Sequence, residues 1–536
     1  MGMRGAREIK RFVSEKGFGK FDALALFLLG VFCIQGCTFF LLIQSVRIIL
    51  FTGLACVVVV SLWIWHRVLP YTIDTVCRKI FPVVLIVLGA SFALFFPPGS
   101  VPDGIYHFKT TYAYSNILSF QQVDSLRASD VDVVYEGTVV SMPISSEHWQ
   151  IANNSLELFA SDGTIVDHQW LLDSGVIDEE SISLPSTLPL PQLKVPAALG
   201  ILLARAIGLG ALPMFYLGRL FNMLYAAILI ILAVRFTPIG KNIFMAAALM
   251  PMTLHLLGSY SYDAPLIGMA FLLTALLLRA MRGRGRISVQ LCIAIVLVAV
   301  IMAPCKVVYM TICFIVIFVP SNRFSSRARA NLFKVCVILL PLAVAMVLSL
   351  TTLLPNASAG NGQAQDTGMD AIETYSLGEL LSNPLSTYML FANTFLVHAS
   401  NYLAEMVGGV PGWLEGRVQL ATWASFSLVF LLFGSSIRTA DDNDYLPVSQ
   451  RISFFVLFTL SVLATMAVMA IYWTANTDMS IQGVQGRYFL PVIILLLLAL
   501  RSKCIQVHAQ TSLPLVMTLS GVGFMYLATI TLNALA

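Results

Sequence analysis

Apolar segments about as long as a lipid bilayer is thick recur along this chain of 536 residues. A helix needs roughly 20 apolar residues to cross the hydrocarbon core, and it satisfies its own backbone polar groups while doing so. Charged residues make up 11% of the sequence, less than half of the roughly 25% typical of soluble domains. The pattern therefore predicts an all-α polytopic membrane protein.

Thirteen transmembrane helices are predicted from these segments. Residues 197–211 are also apolar, but they are short for a crossing, and we assign them to an outer-surface or re-entrant helix. The predicted spans lie near residues 22–45, 48–66, 80–97, 214–236, 242–258, 264–281, 287–303, 307–320, 332–354, 418–436, 452–473, 488–500 and 512–533.

Lysine and arginine are distributed unequally between the two sides of these spans. With the N-terminus inside, the cytoplasmic connections carry 23 of the 32 residues of these two types. Cytoplasmic loops are enriched in them, so the N-terminus is predicted to be inside. A net charge of +4 on so long a chain gives no indication of nucleic-acid binding. The basic residues left on the outer side are Arg47, Lys109, Arg127, Lys194, Arg205, Arg219, Lys306, Arg417 and Arg487.

Six parts of the chain follow from this topology. Alternating residues at Val131–Tyr135 and a turn at Ser161–Thr164 predict some β structure in the first large outer loop. A surface-lying helix is expected near residues 385–407, in the second large outer loop. The parts are a cytoplasmic N-terminus with two added spans (1–79), a span leading to the first loop (80–97), an extracytoplasmic loop domain (98–195), a transmembrane core (196–354), a second extracytoplasmic loop (355–417) and the C-terminal spans (418–536).

Asp103 and His107 form the best candidate for chemistry, directly after the third predicted span. On a helix, residues four apart share a face. A carboxylate beside a low-dielectric boundary becomes more basic, which suits it to act as a general base. The spacing also fits a simpler interpretation, in which Asp103 caps a short helix and His107 is an ordinary interfacial residue. A divalent cation shared by the two side chains is the one metal site that the pattern allows, and no cofactor is certain.

Five outward basic residues lie in or beside apolar segments, against the usual charge bias. Guanidinium groups match phosphate oxygens and an ammonium group supplies a point charge, so together they would suit a phosphorylated lipid. Singly, each also fits a side chain that extends to lipid headgroups or pairs with a carboxylate. Asp263, at the outer mouth between the fifth and sixth predicted spans, is either functional or an N-cap. The five are Arg205, Arg219, Lys306, Arg417 and Arg487.

Three separated motifs stand out along the chain. They are Pro102-Asp103-x-x-x-His107-Phe108, Gly218-Arg219-Leu220-Phe221-Asn222 and Gln485-Gly486-Arg487-Tyr488-Phe489-Leu490-Pro491. Together they resemble the DUF2142 family of bacterial multi-pass proteins. Two shorter stretches fit the same pattern, Pro251-Met252 with Ser259-x-Ser261-x-Asp263, and Gly408-Gly409-x-x-Gly412-Trp413. The resemblance covers about residues 80–530. Gly104 stands where the family commonly has Glu, which leaves Asp103 to act alone or with His107.

The architecture of that family is similar to the glycosyltransferase-C (GT-C) superfamily, and the resemblance implies an activity. The expected enzyme is an inverting hexosyl- or pentosyltransferase of the bacterial cytoplasmic membrane, with its active site facing outward. Its partners would be a polyprenyl-phosphate-linked sugar donor, a glycan, glycolipid or protein acceptor of the cell envelope, and membrane lipids. Asp103 would be the base, with His107 beside it. The substrate- and phosphate-binding residues implied are Arg219, Asp263, Lys306, Arg417, Arg487 and Tyr488.

Two other functions stay open at this point. A transporter or flippase for a lipid-linked glycan would favour inverted repeats and charges near the membrane midplane, and no such repeat is evident in the sequence. A polymerase or ligase that joins whole lipid-linked oligosaccharides would share the outer arginines and the large loops. The length of the product, one sugar or a block, would separate such an enzyme from a simple transferase.

Overall fold

Helices make up most of the structure, a computed structural model that describes residues 20–43, 46–68, 71–96, 101, 104–122, 191–358, 374–411 and 420–535. Seven of the helices are long and apolar enough to cross a membrane. The all-α, multi-pass membrane class predicted from the sequence is thus confirmed. The β structure predicted for the first large loop lies outside the described residues.

The first ten α-helices cover the described part of the chain as far as residue 302. Helix α3 contains a π-helical turn at Val76–Ile80. The helices are α1 (Lys20–Ile43), α2 (Val46–Val68), α3 (Ile73–Phe95), α4 (Gly104–Leu118), α5 (Pro191–Ala206), α6 (Ala211–Phe236), α7 (Lys241–Ala248), α8 (Pro251–Leu257), α9 (Asp263–Arg282) and α10 (Val289–Met302).

Beyond residue 302 the described residues form seven α-helices, two 3₁₀ segments that bear on the site, and a pair of two-residue strands. The 3₁₀ segments are Val307–Phe318 and Gly486–Phe489. The remaining elements are α11 (Arg327–Ser358), α12 (Leu377–Ser382), α13 (Pro384–Val407), α14 (Thr422–Gly434), β1 (Arg438–Thr439), α15 (Val448–Trp473), α16 (Leu490–Leu500), β2 (Gln506–Val507) and α17 (Ser512–Leu535).

Most of the predicted spans coincide with apolar helices, but several of these helices are short. Seven are of crossing length, and five others have 10–17 residues. The count of thirteen spans therefore stays a prediction. The long ones are Phe21–Thr38, Ile73–Phe95, Pro213–Phe236, Asp263–Arg282, Arg327–Leu348, Val448–Trp473 and Ser512–Thr529. The short ones are Ile48–Ile64, Val289–Met302, Val307–Phe318, Thr422–Gly434 and Gly486–Leu500.

The stretch predicted as a single fifth span is broken into α7 and α8. Pro251 opens α8, and Met250 before it is extended, with φ −62° and ψ 139°. A residue that precedes proline is driven out of the helical region, which ends the first helix there. The Thr253 hydroxyl donates to the Ala247 carbonyl at 2.7 Å and so satisfies a backbone group near the break. The whole segment is buried, which tolerates irregular backbone at membrane depth.

Helix α5 corresponds to the predicted outer or re-entrant helix, although it begins earlier, at Pro191. It packs between α4 and α6. Arg205 holds it to α4, since one of its guanidinium nitrogens donates to Asn116 Oδ1 at 2.8 Å and the group lies 3.9 Å from the centre of the Tyr112 ring. Arg205, one of the basic residues predicted to lie on the outer side, therefore joins two helices.

At the far ends of α9 and α16 a buried ion pair ties several loops together. Arg501, which is fully buried, pairs with Asp442 at 3.0 Å. The Asp442 carboxylate also accepts hydrogen bonds from the backbone N–H groups of Gly240 and Asn242, at 3.3 and 3.2 Å, at the start of α7. Strands β1 and β2 pair in parallel beside it. This end of the molecule is consequently cross-linked between distant parts of the sequence.

The N-terminal helices α1 and α2 pack against each other and against α17. Asp22, on α1, is buried, and its Oδ1 accepts from the Trp63 indole at 2.8 Å and from Arg67 at 2.7 Å, both on α2. A buried carboxylate is tolerated when it is paired in this way. The first and last parts of the chain thus form one side of the helix assembly.

Candidate functional site

A short turn between α8 and α9 positions Asp263. The backbone N–H of Asp263 donates to Ser261 Oγ at 3.1 Å, and that of Ser261 donates to Ser259 Oγ at the same distance. Asn222, on α6, fixes the turn from outside by donating to the carbonyls of Ser259 and Ser261 at 2.8 and 3.1 Å. Asp263 then begins α9, where the positive end of the helix dipole favours a carboxylate.

Asp263 joins two cations that come from distant parts of the sequence. Its Oδ1 lies 3.1 Å from Lys306 Nζ and its Oδ2 lies 3.0 Å from Arg487 Nη1. The three side chains are 8%, 21% and 4% exposed, so little water screens their charges. Lys306 precedes one 3₁₀ segment and Arg487 lies in the other. The start of α9 and the two 3₁₀ segments therefore meet at one point, which we name the ion cluster.

The Gln485–Pro491 motif packs against the last turns of α13. The Arg487 guanidinium donates to Gln485 Oε1 at 2.7 Å, and the Gly486 N–H donates to Glu405 Oε2 at 2.5 Å. Gly486 has no room for a side chain, because a Cβ atom would clash with the Tyr402 carbonyl and lie 2.7 Å from the backbone nitrogen of Met406. The motif thus places Arg487 through a close backbone contact.

Two tyrosines surround the ammonium group of Lys306. Its Nζ lies 4.2 Å from the ring centre of Tyr488 and 5.3 Å from that of Tyr262. Lys194 Nζ lies 5.8 Å from the same Tyr262 ring, and the His107 ring meets it edge-on at 4.9 Å. Cation–π contacts of this kind stabilise a positive charge while leaving its hydrogen-bond donors directed elsewhere. Tyr262 therefore links the ion cluster to α4 and α5.

His107 is buried beside three cations. Burial is the largest influence on its pKa, and the positive charges of Lys194, Arg487 and Lys306 act in the same direction, so the pKa lies well below the usual value of 6.5. The ring is therefore neutral at physiological pH. Its Nδ1 is buried and has no hydrogen-bond partner among the described residues. A neutral imidazole with such an atom is suited to hydrogen-bond a ligand, in either the donor or the acceptor role.

Positive charge predominates at the site. Burial acts to lower the pKa of Lys306, but the nearby Asp263 carboxylate and three tyrosines raise it above the ordinary lysine range, so the ammonium stays charged. Lys194 donates to the carbonyls of His107 and Tyr260 at 3.3 and 3.1 Å. With Arg487, the described residues of the site include three cations, against the carboxylates of Asp263 and Glu405. A site with this balance favours an anion.

The predicted substrate residues separate into two groups. Asp263, Lys306, Arg487 and Tyr488 come together, and His107 lies at their edge. Arg219 stands apart, because its guanidinium donates to the carbonyls of Gly258 and Phe96 at 2.5 and 3.0 Å and fastens the end of α3 to the turn before α9.

Two of the predicted site residues, Asp103 and Arg417, lie outside the described residues, so their roles stay predictions. The same holds for a divalent cation shared by Asp103 and His107. Within the described ranges, no group of three or more His, Cys, Asp or Glu side chains is close enough to hold a metal ion.

Three members of the site were missed from the sequence. Lys194 is one of the basic residues predicted to lie on the outer side, but it follows a proline-rich stretch in which nothing indicates a role. Tyr262 directly precedes Asp263, and an aromatic residue beside a boundary carboxylate is the signal that could have identified it. Glu405 lies at the end of the predicted surface helix, where nothing local distinguishes it from a solvated carboxylate.

The fold and the ion cluster together define a multi-pass membrane protein with a buried, cation-rich site at the ends of its helices. Comparison with known families makes this more specific. The DUF2142 family, described as predicted membrane proteins, matches residues 85–496, and the chain belongs to that family. Helices α1 and α2 precede the matched region, and their interpretation as an addition stays a prediction. No curated protein and no solved structure matches the chain.

Proposed function

We propose that the protein is a membrane glycosyltransferase that transfers a sugar from polyprenyl phosphate, on the outer face of the membrane, to a glycan, glycolipid or protein of the cell envelope. The observation that supports this most is the ion cluster, where Lys306 and Arg487 meet at helix ends on either side of Asp263. Buried cations at the boundary of the apolar region suit a lipid that carries a phosphate group.

The proposed reaction uses Asp103 as the general base. Asp103 removes the proton of an acceptor hydroxyl, whose oxygen attacks the anomeric carbon of the donor. The bond between that carbon and the phosphate oxygen breaks with inversion, and polyprenyl phosphate leaves with the electron pair. Lys306 and Arg487 neutralise the charge that develops on the phosphate, an effect that is largest in a site sheltered from water. His107, uncharged, hydrogen-bonds the sugar or the phosphate.

Transfer of a radiolabelled sugar from polyprenyl phosphate, measured with the purified protein in nanodiscs, tests this proposal. We expect Asp103→Asn to abolish transfer and Arg487→Gln to lower kcat by roughly 10²-fold. The membrane level of Asp103→Asn should equal that of the wild-type protein, and the kcat of Arg487→Gln is measured per mole of folded, purified protein. Arg205→Gln is the matched control, because Arg205 joins α4 to α5 rather than reaching the cluster. Full transfer by Asp103→Asn would disprove the mechanism.

A flippase for a lipid-linked glycan is the second candidate, and the broken α7–α8 segment favours it. Discontinuous helices at membrane depth are common in transporters. Vesicles that contain the protein and a fluorescent polyprenyl-phosphate sugar separate the two functions. The transferase releases polyprenyl phosphate and elongates the acceptor, whereas a flippase changes the leaflet of the lipid and leaves the sugar bond intact. An oligosaccharide ligase would instead lengthen the acceptor by a whole block.

A further inference from the structure

A cavity lies away from the ion cluster, at the junction of α12 and α13. Its volume is about 200 Å³, and polar side chains dominate its lining. A water molecule takes about 30 Å³ in the liquid, so the space is that of roughly seven waters or a single sugar ring. The residues that bear on the argument are Tyr375, Glu379, Asn383, Ser386 and Asn476.

The groups around this cavity suit a neutral ligand with many hydroxyls. Amides and hydroxyls both donate and accept hydrogen bonds, and a phenol adds an apolar face with a polar end. Among the described residues of the lining, Glu379 is the one carboxylate, and none is a lysine or an arginine. A phosphate group would therefore meet a negative charge here without a cation to offset it. This chemistry differs from that of the ion cluster.

Backbone and side-chain hydrogen bonds hold the cavity in shape. Ser376 and Glu379 cap the start of α12 reciprocally, at 3.1 and 2.7 Å. The Tyr375 hydroxyl donates to the Asp478 carbonyl at 2.8 Å, which fastens the α12 side to the segment that follows α15. An isolated β-bridge between Thr374 and Ala475 reinforces the same junction. A wall of this kind is pre-organised and needs little ordering on binding.

The segment from the cavity to the ion cluster runs alongside α13. Near the first half of that helix, Ile481 N–H donates to Thr394 Oγ1 at 2.8 Å, and near its end Gly486 N–H donates to Glu405. Leu390, in the cavity lining, precedes Glu405 by 15 positions, which is about 22 Å along a helix. The cavity is too far from Arg487 to hold the sugar that reacts there. The predicted topology puts the cavity on the same side of the membrane as Arg487, since no predicted span lies between Asn476 and Arg487.

We propose that this cavity binds one sugar unit of a glycan acceptor, several units away from the hydroxyl that is glycosylated. The role of the cavity in the reaction rests on the proposed transferase function. The kind of ligand, a sugar, is inferred from the cavity alone. It makes the acceptor an oligosaccharide or polysaccharide chain that lies along α13. A lipid or a protein without such a chain would leave the cavity unused.

Protection of an introduced cysteine tests the ligand. Ser386→Cys, in a cysteine-free background, is labelled with a polar methanethiosulfonate reagent in the presence of neutral oligosaccharides released from the producing cell's envelope polysaccharide. Ser400→Cys, exposed on the same helix, is the matched control. We expect labelling at position 386 to slow about fivefold when the oligosaccharide is at about four times its Kd, with no change at position 400. Equal rates with and without oligosaccharide at position 386, or protection by inorganic phosphate instead, would overturn the proposal.

A kinetic experiment tests the role in the reaction. Ser386→Trp fills the cavity from an exposed position, so we expect a higher KM for a long acceptor and an unchanged kcat, and no effect on a monosaccharide acceptor. An unchanged KM for the long acceptor contradicts the role. Farnesyl phosphate binding, measured in parallel, reports on the ion cluster alone. If Ser386→Trp still binds farnesyl phosphate and the oligosaccharide gives no protection of Ser386→Cys, the cavity proposal fails. If the oligosaccharide protects Ser386→Cys but the wild-type protein binds no farnesyl phosphate, the transferase proposal fails.

Discussion

The Asp263 carboxylate has two roles that oppose each other in the proposed reaction. It neutralises Lys306 and Arg487, each at about hydrogen-bond distance, and so allows two cations to be buried in the same place. In the proposed reaction it also competes with the phosphate for those cations. A carboxylate that pairs both of them in the absence of substrate keeps the site intact and lets an incoming anion displace part of its interaction.

The first prediction follows from this competition. Asp263→Asn leaves Lys306 and Arg487 without their shared counter-charge, and we expect it to destabilise the protein by about 3–5 kcal/mol. Added inorganic phosphate should restore part of the loss, because it replaces the missing charge. Thermal unfolding in detergent, with and without phosphate, measures both effects.

A surface carboxylate provides the control. Asp74 pairs with Lys241 at 2.9 Å but its side chain is 56% exposed, so Asp74→Asn should cost less than about 1 kcal/mol and show no rescue by phosphate. If the two variants lose the same stability, the ion cluster is not an energetically distinct site.

The second prediction concerns His107 and pH. Its pKa is lowered in the folded protein, mainly by burial and then by the neighbouring cations. Between that lowered pKa and about 6.5 the unfolded chain binds more protons, so stability falls as the pH falls below 6.5, by up to about 1.4 kcal/mol per pH unit. His107→Gln removes this contribution and should flatten the decline between pH 6.5 and 5. Unfolding midpoints measured across that range check it, with His508→Gln, which is exposed, as the control. An unchanged slope in His107→Gln contradicts a buried neutral imidazole.

Among the elements, the 3₁₀ turn Gly486–Phe489 contributes most to the site, because it contains Arg487 and leads the chain directly into α16. Pro491 in the first turn of α16 fits there, since a helix leaves that position's N–H without an internal partner. Gly486 approaches α13 so closely that the two elements share a backbone contact. The position of Arg487 thus depends on how α13 packs.

The third prediction uses that contact. Gly486→Ala places a methyl group against the Tyr402 carbonyl and the Met406 backbone nitrogen, so the turn has to shift away from α13. We expect a loss of about 1–3 kcal/mol, typical of overpacking, together with weaker binding of farnesyl phosphate. Gly434→Ala, where a Cβ atom meets nothing within 4 Å, is the control and should leave binding unchanged. Normal lipid phosphate binding in Gly486→Ala would show that Arg487 is placed by other contacts.

The sequence predicts the elements better than their meeting points. Apolar run length locates most helices, and the Gln485–Pro491 motif is correctly placed at the entrance of an apolar helix, because both signals are local. The contact between Asp263 and Arg487 joins residues far apart in the chain, and no local periodicity encodes it. The break at Met250 shows the opposite limit: Pro251 signals it, but continuous hydrophobicity on both sides made one span the simpler prediction.

At the scale of the whole molecule, helix ends on one side carry the ion cluster and helix ends on the other carry the buried Arg501–Asp442 pair. The second assembly cross-links loops, while the first leaves a histidine nitrogen available at its edge. The predicted orientation, with the N-terminus inside, assigns the Arg501 side to the cytoplasm and the ion cluster to the outside. That assignment comes from charge distribution and stays a prediction.

The fourth prediction tests this orientation. Cys504 is exposed near Arg501, so in a variant that keeps it as the single cysteine, a membrane-impermeant maleimide should label it in inverted vesicles and not in intact cells. Asn393 is exposed on α13, and Asn393→Cys in a variant without any other cysteine should be labelled in intact cells and not in inverted vesicles. Labelling of both from the same side would contradict the topology. Labelling of Cys504 from outside would reverse it and place the ion cluster in the cytoplasm.

The origin of the ion cluster in three distant segments has a consequence for biosynthesis. Asp263 and Lys306 are synthesised close together, but Arg487 follows Lys306 by 181 positions. At about 5–20 residues per second, the ribosome adds Arg487 roughly 10–40 s later. During that interval the carboxylate and the ammonium pair one to one, in a nascent chain whose α16 and α17 have yet to enter the membrane. The contact of Asp263 with both cations therefore forms only once the last helices are made, so a chain released before Arg487 lacks one of the two cations that the proposed reaction uses to neutralise the phosphate.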